Sequence, residues 1–201
     1  MDLIIDTVKK LESMMKNSGC EDSGVVLDVN ADAVPCQFER GACMTASFGG
    51  RSAEFITFEP IRANTKISFM FGTPLDTPQV RGAAVAIVNV ATGFFCLSRI
   101  LHSCPNSSHP ECRRQLFREL GGKKIFWKGS ISNDKTSGST IVNNCQDADI
   151  ILINGEGIIE KSTADIIRDY KETRRILCIG PSTAGVARLN QLEHWCPFGT
   201  C

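Results

Sequence analysis

The chain carries three histidines, and each stands within three positions of a cysteine. The run His102-x-Cys104-x4-His109-x2-Cys112 brings four soft-metal donors into a short stretch, and a second pair, His194 and Cys196, lies close to the terminal Cys201. Imidazole nitrogen and thiolate sulfur together suit zinc, iron, nickel or copper. His102, Cys104, His109 and Cys112 are therefore the expected ligands of a transition metal or a metal-bearing cofactor, whose identity the sequence leaves open. The spacing is not that of a structural zinc site, because the 102–112 stretch holds neither a Cys-x2-4-Cys nor a His-x3-5-His pair, whereas Cys196-x4-Cys201 does meet the first pattern. The even separation of Cys96, Cys104 and Cys112 keeps an iron–sulfur reading open. The competing expectation is buried free cysteines with solvent-facing histidines, and Cys178, inside an apolar strand, reads as core packing.

A second candidate site consists of two glycine-containing loops. Asn154-Gly155-Glu156-Gly157 follows the apolar run 149–153, and Gly180-Pro181-Ser182-Thr183 follows the apolar run 174–179 and leads into a helix. In open parallel sheets, ligands bind beyond the carboxyl ends of the strands, so the two loops are expected side by side. Gly180 lets the backbone approach a ligand, Ser182 or Thr183 can cap the following helix, and free amides there favour an anionic group. Asn154, Gly155, Glu156, Gly180, Ser182 and Thr183, with Asn89 from a buried helix, are the expected cofactor-binding residues. The plainer alternative is that the hydroxyls only cap and the glycines only turn the chain. Glu156 could meet a ribose, a metal or a substrate amine. Neither loop matches Gly-x-Gly-x-x-Gly or a P-loop, so no particular nucleotide is implied. With no Gly-x-Ser-x-Gly elbow, His-Glu-x-x-His helix or Cys-x-x-Cys pair, the sequence identifies no nucleophile and base.

Residues 2–16 fit an amphipathic helix through Leu3, Ile4, Val8, Leu11, Met14 and Met15. Short β-prone runs follow at 24–29, 43–48, 54–58 and 66–71, with a hairpin at Gly49-Gly50. An apolar stretch from Gly82 to Ser98 is too short and too interrupted by Asn89, Thr92 and Gly93 to span a membrane, and reads as a buried helix over 80–101. Its cover must come from both halves of the chain, with Asn89 hydrogen-bonded or facing a cleft. Beyond it, a polar loop at 102–110 precedes a helix at 111–120, a strand at 123–127 and an exposed loop at 130–138. Strand 149–153, helix 162–170, strand 174–179 and helix 183–189 complete a βαβ pattern that implies a parallel sheet covered on both faces. The fold class is α/β: an N-terminal α+β part, residues 1–101, joined to a small Rossmann-like parallel layer, residues 102–201.

The 201 residues are 42% hydrophobic and 22% charged, which is the composition of a core-forming globular chain. Lys+Arg and Asp+Glu number 22 each, so no surplus of positive charge recommends general nucleic-acid or anionic-membrane binding. Ten cysteines spread from Cys20 to Cys201 do not crowd as in a small disulfide scaffold. The opening Met1-Asp2-Leu3-Ile4-Ile5-Asp6 has no basic n-region or continuous apolar h-region, so cytoplasmic thiols are expected. Small-molecule or metal partners, no membrane span, and compatibility with a homo-oligomer complete this reading.

Three segments resemble a family named for heavy-metal chelation and found mainly in anaerobic bacteria and archaea. Asp147-Ala148-Asp149-Ile150-Ile151-Leu152-Ile153-Asn154-Gly155 is similar to its Ala-Asp-aliphatic strand ending in Thr-Gly, and Gly180-Pro181-Ser182-Thr183 to its Gly-Pro-Ser-Thr loop. Arg81-Gly82-Ala83-Ala84-Val85-Ala86-Ile87-Val88-Asn89 resembles, more weakly, its Arg-x-x-Gly-x-Ala-x-x-Asn helix. The resemblance implies an enolase-N-terminal-like α+β domain on a Rossmann-like domain, a ligand cleft between them, and handling of a metal or metal-bearing cofactor in anaerobic cofactor biosynthesis. The chain departs from the pattern in its length and in lacking a Gly-His-Phe-Pro-like turn, of which Leu101-His102-Ser103-Cys104-Pro105 would be the remnant. The functional expectation is a protein that binds a metal or a metal-containing or anionic cofactor in that cleft. The alternative is an enzyme, a methyltransferase or oxidoreductase, using a nucleotide-like cofactor at the two loops.

Overall fold

The computed structural model describes residues 2–130 and 140–201; the loop expected at 130–138 therefore lies almost wholly outside the described residues. The chain is a mixed α/β fold built on two sheets. The N-terminal one is antiparallel, formed by β1 (Gly24–Asn30), β2 (Ala42–Phe48), β3 (Arg51–Thr57) and β4 (Ala63–Lys66) in the order β3-β2-β1-β4. Gly49 and Gly50, both at positive φ, make the tight β2–β3 turn. The second sheet is parallel, with β5 (Lys124–Lys128), β6 (Thr140–Val142), β7 (Ile150–Ile153), β8 (Arg175–Ile179) and β9 (Glu193–Trp195) in the order β6-β5-β7-β8-β9.

Among the described residues six helices surround these sheets: α1 (Leu3–Met15), α2 (Pro78–Phe94), α3 (His109–Leu120), α4 (Gly155–Ile159), α5 (Thr163–Tyr170) and α6 (Ala184–Asn190). β7 and β8 are adjacent and parallel, as the pattern of apolar runs requires, and both faces of each are covered. Ile151, Ile153, Ile176 and Cys178 face the large core with α1 and α2. Ile150, Leu152, Leu177 and Ile179 pack instead with Cys112, Leu116 and Leu120 of α3. A strand wetted on neither face has no reason to alternate, which is why both read as unbroken apolar runs.

α2 lies between the sheets, against β2 and β3 on one side and α6 with residues 181–183 on the other. Every residue from Arg81 to Gly93 is buried. The helix ends at Phe94 rather than continuing to 101: Cys96 turns to φ 56°, and the Leu97 N–H reaches back to Thr92 O at 2.8 Å, closing the last turn before the chain leaves. The run 66–71 is likewise no strand. β4 stops at Lys66 and a 3-10 turn carries Ile67 and Met70, three apart, into the core. The short strands β6 and β9 have no counterpart in the sequence reading, because three-residue edge strands carry too little periodicity to register.

One buried charge ties the N-terminus to this frame. The Arg81 guanidinium bonds both carboxylate oxygens of Asp2, at 2.7 and 3.1 Å, together with the carbonyls of Leu75 and Ile159. Asp2 also caps α1, its Oδ1 accepting from the Ile4 and Ile5 amides. Burial pushes the Asp2 carboxyl up, yet Arg81 and the two amides outweigh it and hold the group below its ordinary value. Asp2→Ala removes a cap and leaves a buried guanidinium without its carboxylate, an expected loss of about 3 kcal/mol at neutral pH. The carboxyl is depressed in the folded state, so this contribution is complete above the ordinary aspartate pKa and is lost as pH falls from there through the lower folded value. Urea midpoints of the parent and variant should therefore differ at pH 7 and approach one another near pH 3; equal midpoints at pH 7 would contradict the assignment.

Candidate functional site

The polar side chains of the site gather where the carboxyl ends of β7 and β8 meet the edge strand β3 of the antiparallel sheet. A segment from the N-terminal half, Cys36 to Glu39, crosses this place between β1 and β2. Phe38 anchors it, packing its ring against Trp127 and Trp195 at centroid distances of 6.3 Å. That contact drives the next residue, Glu39, into the interior.

Glu39 Oε1 accepts the Gly155 N–H at 3.1 Å, and the Ser182 hydroxyl lies beside it. Oε2 is buried and has no hydrogen-bond partner among the described residues. Burial pushes the carboxyl up to about 8, against the pull of Ser182 and the Gly155 amide and with further upward pressure from Glu54 and Glu156. The fit is close. A β-carbon at Gly155 would lie 2.7 Å from Oε1, and one at Gly180, whose φ is 82°, would lie 3.0 Å from the carboxyl carbon.

The two loops expected to meet do so, and Asn89 joins them. Asn89 donates to the Ser182 carbonyl at 2.9 Å and accepts from the Gly185 amide at 2.8 Å. Asn154 caps α4, accepting the Gly157 N–H at 3.1 Å while donating to the Phe38 and Ser130 carbonyls. Ser182 Oγ accepts the Ile56 N–H at 2.9 Å, and Thr183 Oγ1 donates back to the Ile179 and Gly180 carbonyls. Glu156 accepts the Phe58 N–H at 3.0 Å. These side chains thus stitch the two sheets together, and the Gly155 amide that could receive an external anion already holds Glu39. The stretch 154–157, expected as a loop, is the cap and first turn of α4.

The histidines and cysteines sort differently from their order in the chain. Cys104 and Cys112 are buried with their thiols in contact. His102 leaves them: its Nδ1 stands 3.5 Å from Glu54 Oε1 and its Nε2 3.3 Å from Ser52 Oγ. His109, at the start of α3, has a buried Nε2 with no partner among the described residues. His194, on β9, uses Nε2 on the Gly180 carbonyl at 2.9 Å; a carbonyl only accepts, so that nitrogen carries the proton. Burial lowers the His194 pKa, with the Gly180 bond opposing. Among the described residues no three His, Cys, Asp or Glu side chains already stand as a metal-holding group. Instead Cys36 and Cys196 lie within electrostatic reach of Glu39 and of Cys112, with Cys104 near Cys196, so four thiols from three separate segments share one region. Burial raises all four; Cys112 goes up to about 11 and Cys196 to about 12. Glu39 and Cys36 escape a sequence reading altogether. The one available hint is a carboxylate directly after a phenylalanine in a segment between strands, and that pattern is common.

No family model and no curated protein matches the sequence. Solved structures do resemble the fold. One is a crystal structure of a DUF364-family protein of unknown function from Desulfitobacterium hafniense DCB-2, with a TM-score of 0.50 and 12% identity over 91% of this chain and 82% of that one. Another, from the same family in Pyrococcus horikoshii and also of unknown function, gives a TM-score of 0.49 and 13% identity over 90% and 79%. The likeness to the first extends over both sheets and is one of fold alone. Among the described residues no helix is long and apolar enough to cross a membrane.

Proposed function

We propose that the chain binds a thiophilic divalent metal ion, or a cofactor bearing one, at the junction of its two sheets, with Glu39, Cys36 and Cys196 supplying the donors. The observation that carries this is the Glu39 carboxyl: buried, seated on the Gly155 amide, and with one oxygen unpartnered among the described residues. An unsatisfied acid oxygen in the interior costs on the order of 1–3 kcal/mol and calls for an account. A cation supplies one, since it takes the free oxygen and makes the charged form favourable. Thiols are the donors at hand, and their softness favours zinc or cobalt over magnesium or calcium. The donors are near one another and not yet assembled, so binding must draw them in. Of the anionic and cationic ligands expected from the sequence, the cationic one has the better support, because Glu39 occupies the anion position. Ten free thiols accord with a reducing compartment such as the cytoplasm, and handling of metal-bearing cofactors is the setting this reading suggests.

Cobalt(II), added to protein purified without oxygen and stripped with a chelator, is the probe. Stoichiometric binding with thiolate-to-cobalt charge-transfer absorption is expected. Affinity should rise with pH because Glu39 and the thiols must all lose protons. Glu39→Gln should weaken binding at least tenfold with its circular dichroism unchanged. The double variant Cys104→Ser/Cys112→Ser separates this donor set from the one expected on spacing, and here it should still bind. Unchanged affinity in Glu39→Gln, or no uptake by the parent protein at millimolar cobalt, would overturn the proposal.

A further inference from the structure

The metal reading uses none of the 102–112 stretch, and the surroundings of His102 point to a different chemistry. On a strand, alternate residues share a face, so Ser52 and Glu54 of β3 project to the same side. The segment after α2 docks on the free edge of β3 through Glu54 N–H to Leu101 O at 2.8 Å, and Thr200 bridges to its other side. This places the His102 ring against both β3 side chains, with Nε2 3.3 Å from Ser52 Oγ and Nδ1 3.5 Å from Glu54 Oε1. The second carboxylate oxygen, Glu54 Oε2, accepts the Ser103 N–H at 2.8 Å, which fixes the acid in place. Glu54 is held below its ordinary pKa: burial would raise it, and His102 and Ser103 outweigh that.

We infer that Ser52, His102 and Glu54 form a nucleophile–base–orienting acid relay that cleaves small carboxylic esters. Three features of the geometry support it. A carboxylate only accepts, so it draws the proton of His102 to Nδ1 and leaves Nε2 as the lone pair facing the Ser52 hydroxyl. Ser52 and the His102 ring are part-exposed, with the His102 side chain 27% exposed, so an acyl group can reach them. Finally, Glu54 sends its N–H outward to Leu101, so it stands opposite Thr45 without mutual hydrogen bonds. By the alternation of an antiparallel ladder, Ser52, opposite Ser47, also sends its N–H to the outer edge, where an oxyanion on the attacked carbonyl would need a donor.

The step balances with water as the co-reactant. Ser52 Oγ bonds to the ester carbonyl carbon as His102 Nε2 takes the hydroxyl proton, and the carbonyl π pair moves to oxygen. Collapse breaks the bond to the alcohol, which leaves with the proton from Nε2. Water then attacks the acyl-serine in the same way, releasing the carboxylic acid and restoring Ser52. Ser52 and His102 are catalytic residues here; Glu54 is a positioning residue.

A fluorophosphonate, which phosphonylates activated serines and spares thiols, tests this on the full chain, with the site read by peptide mass spectrometry. The expected result is one label per chain on Ser52, none in Ser52→Ala, and labelling at least a hundredfold slower in His102→Gln. In Glu54→Gln the maximal labelling rate should fall about tenfold with half-saturation unchanged, a split that a loosened fold would not give. Hydrolysis of p-nitrophenyl acetate should follow the same order, with Ser52→Ala retaining only the background of exposed thiols. Thermal unfolding of each variant confirms that the fold persists. No label on Ser52 in the parent protein, or equal labelling rates in parent and His102→Gln, would refute the relay.

Discussion

Replacing Glu39 by Gln should raise the unfolding free energy of the metal-free protein by several kcal/mol at pH 9 and change it little at pH 4. In the folded chain the carboxyl titrates at about 8, against 4.5 for the free group. Between these two values the folded state keeps a proton that the unfolded state has released, so stability must fall as pH rises through the window. Complete passage corresponds to roughly 5 kcal/mol, a large share of the 5–15 kcal/mol typical of a domain. Glutamine keeps an oxygen for the Gly155 amide and cannot ionise, so the slope disappears with the acid. Urea unfolding at pH 4, 7 and 9 with chelator present checks this. Parallel pH profiles for the parent and variant would show that Glu39 is not the buried acid described. Cobalt should reverse the parent's slope, because a bound cation stabilises the charged carboxylate and so adds to stability where the free protein loses it.

Asn89→Ala should cost about 3 kcal/mol or more, among the largest single losses expected outside the apolar core. Asn89 is 1% exposed and its amide serves both partners at once, donating to the Ser182 carbonyl and accepting from the Gly185 N–H. Alanine leaves two buried backbone groups unpaired, each costing on the order of 1–3 kcal/mol, and adds a small cavity between α2 and α6. The damage should be local first. Hydrogen exchange at the Gly185 amide should quicken well before that of the β7 and β8 amides, because the bond lost joins the helix pair rather than the sheet. A urea midpoint within experimental error of the parent, with protected Gly185, would show that water or a rotated neighbour replaces the amide. Asn89→Asp offers a control. Ionised, it accepts from Gly185 and cannot donate to Ser182, whereas the neutral acid does both, so a loss that grows as pH rises would assign that part of the effect to the Ser182 bond.

The covered elements were legible in the residues because their cause is local or one-dimensional. The unbroken apolar runs at 149–153 and 174–179, with a helix between them, required a parallel sheet buried on both faces. The helix after Thr77 announced its burial through composition alone, and Asn89 stood out as the polar residue that such burial obliges to pair. Gly155, Gly180 and Ser182 marked the meeting of two loops, but the hydroxyls expected to cap the next helix bond elsewhere, Ser182 accepting the Ile56 N–H and Thr183 donating back to the Ile179 and Gly180 carbonyls.

What fills that meeting place was decided elsewhere. Glu39 is brought to the Gly155 amide across 116 positions by the packing of Phe38 on Trp127 and Trp195, and no periodicity records such a contact. His102 and Cys104, with one residue between them in sequence, are divided by what docks on each. His102 turns to Ser52, 50 positions away, and to Glu54, whereas Cys104 turns into the interior toward Cys112. Spacing along a chain reports which donors can meet only when one helix or one tight turn holds them all. Here the ligating and nucleophilic groups sit on loops and strand edges, whose side-chain directions are set by what docks against them, so their partners are fixed by the tertiary packing of the two sheets.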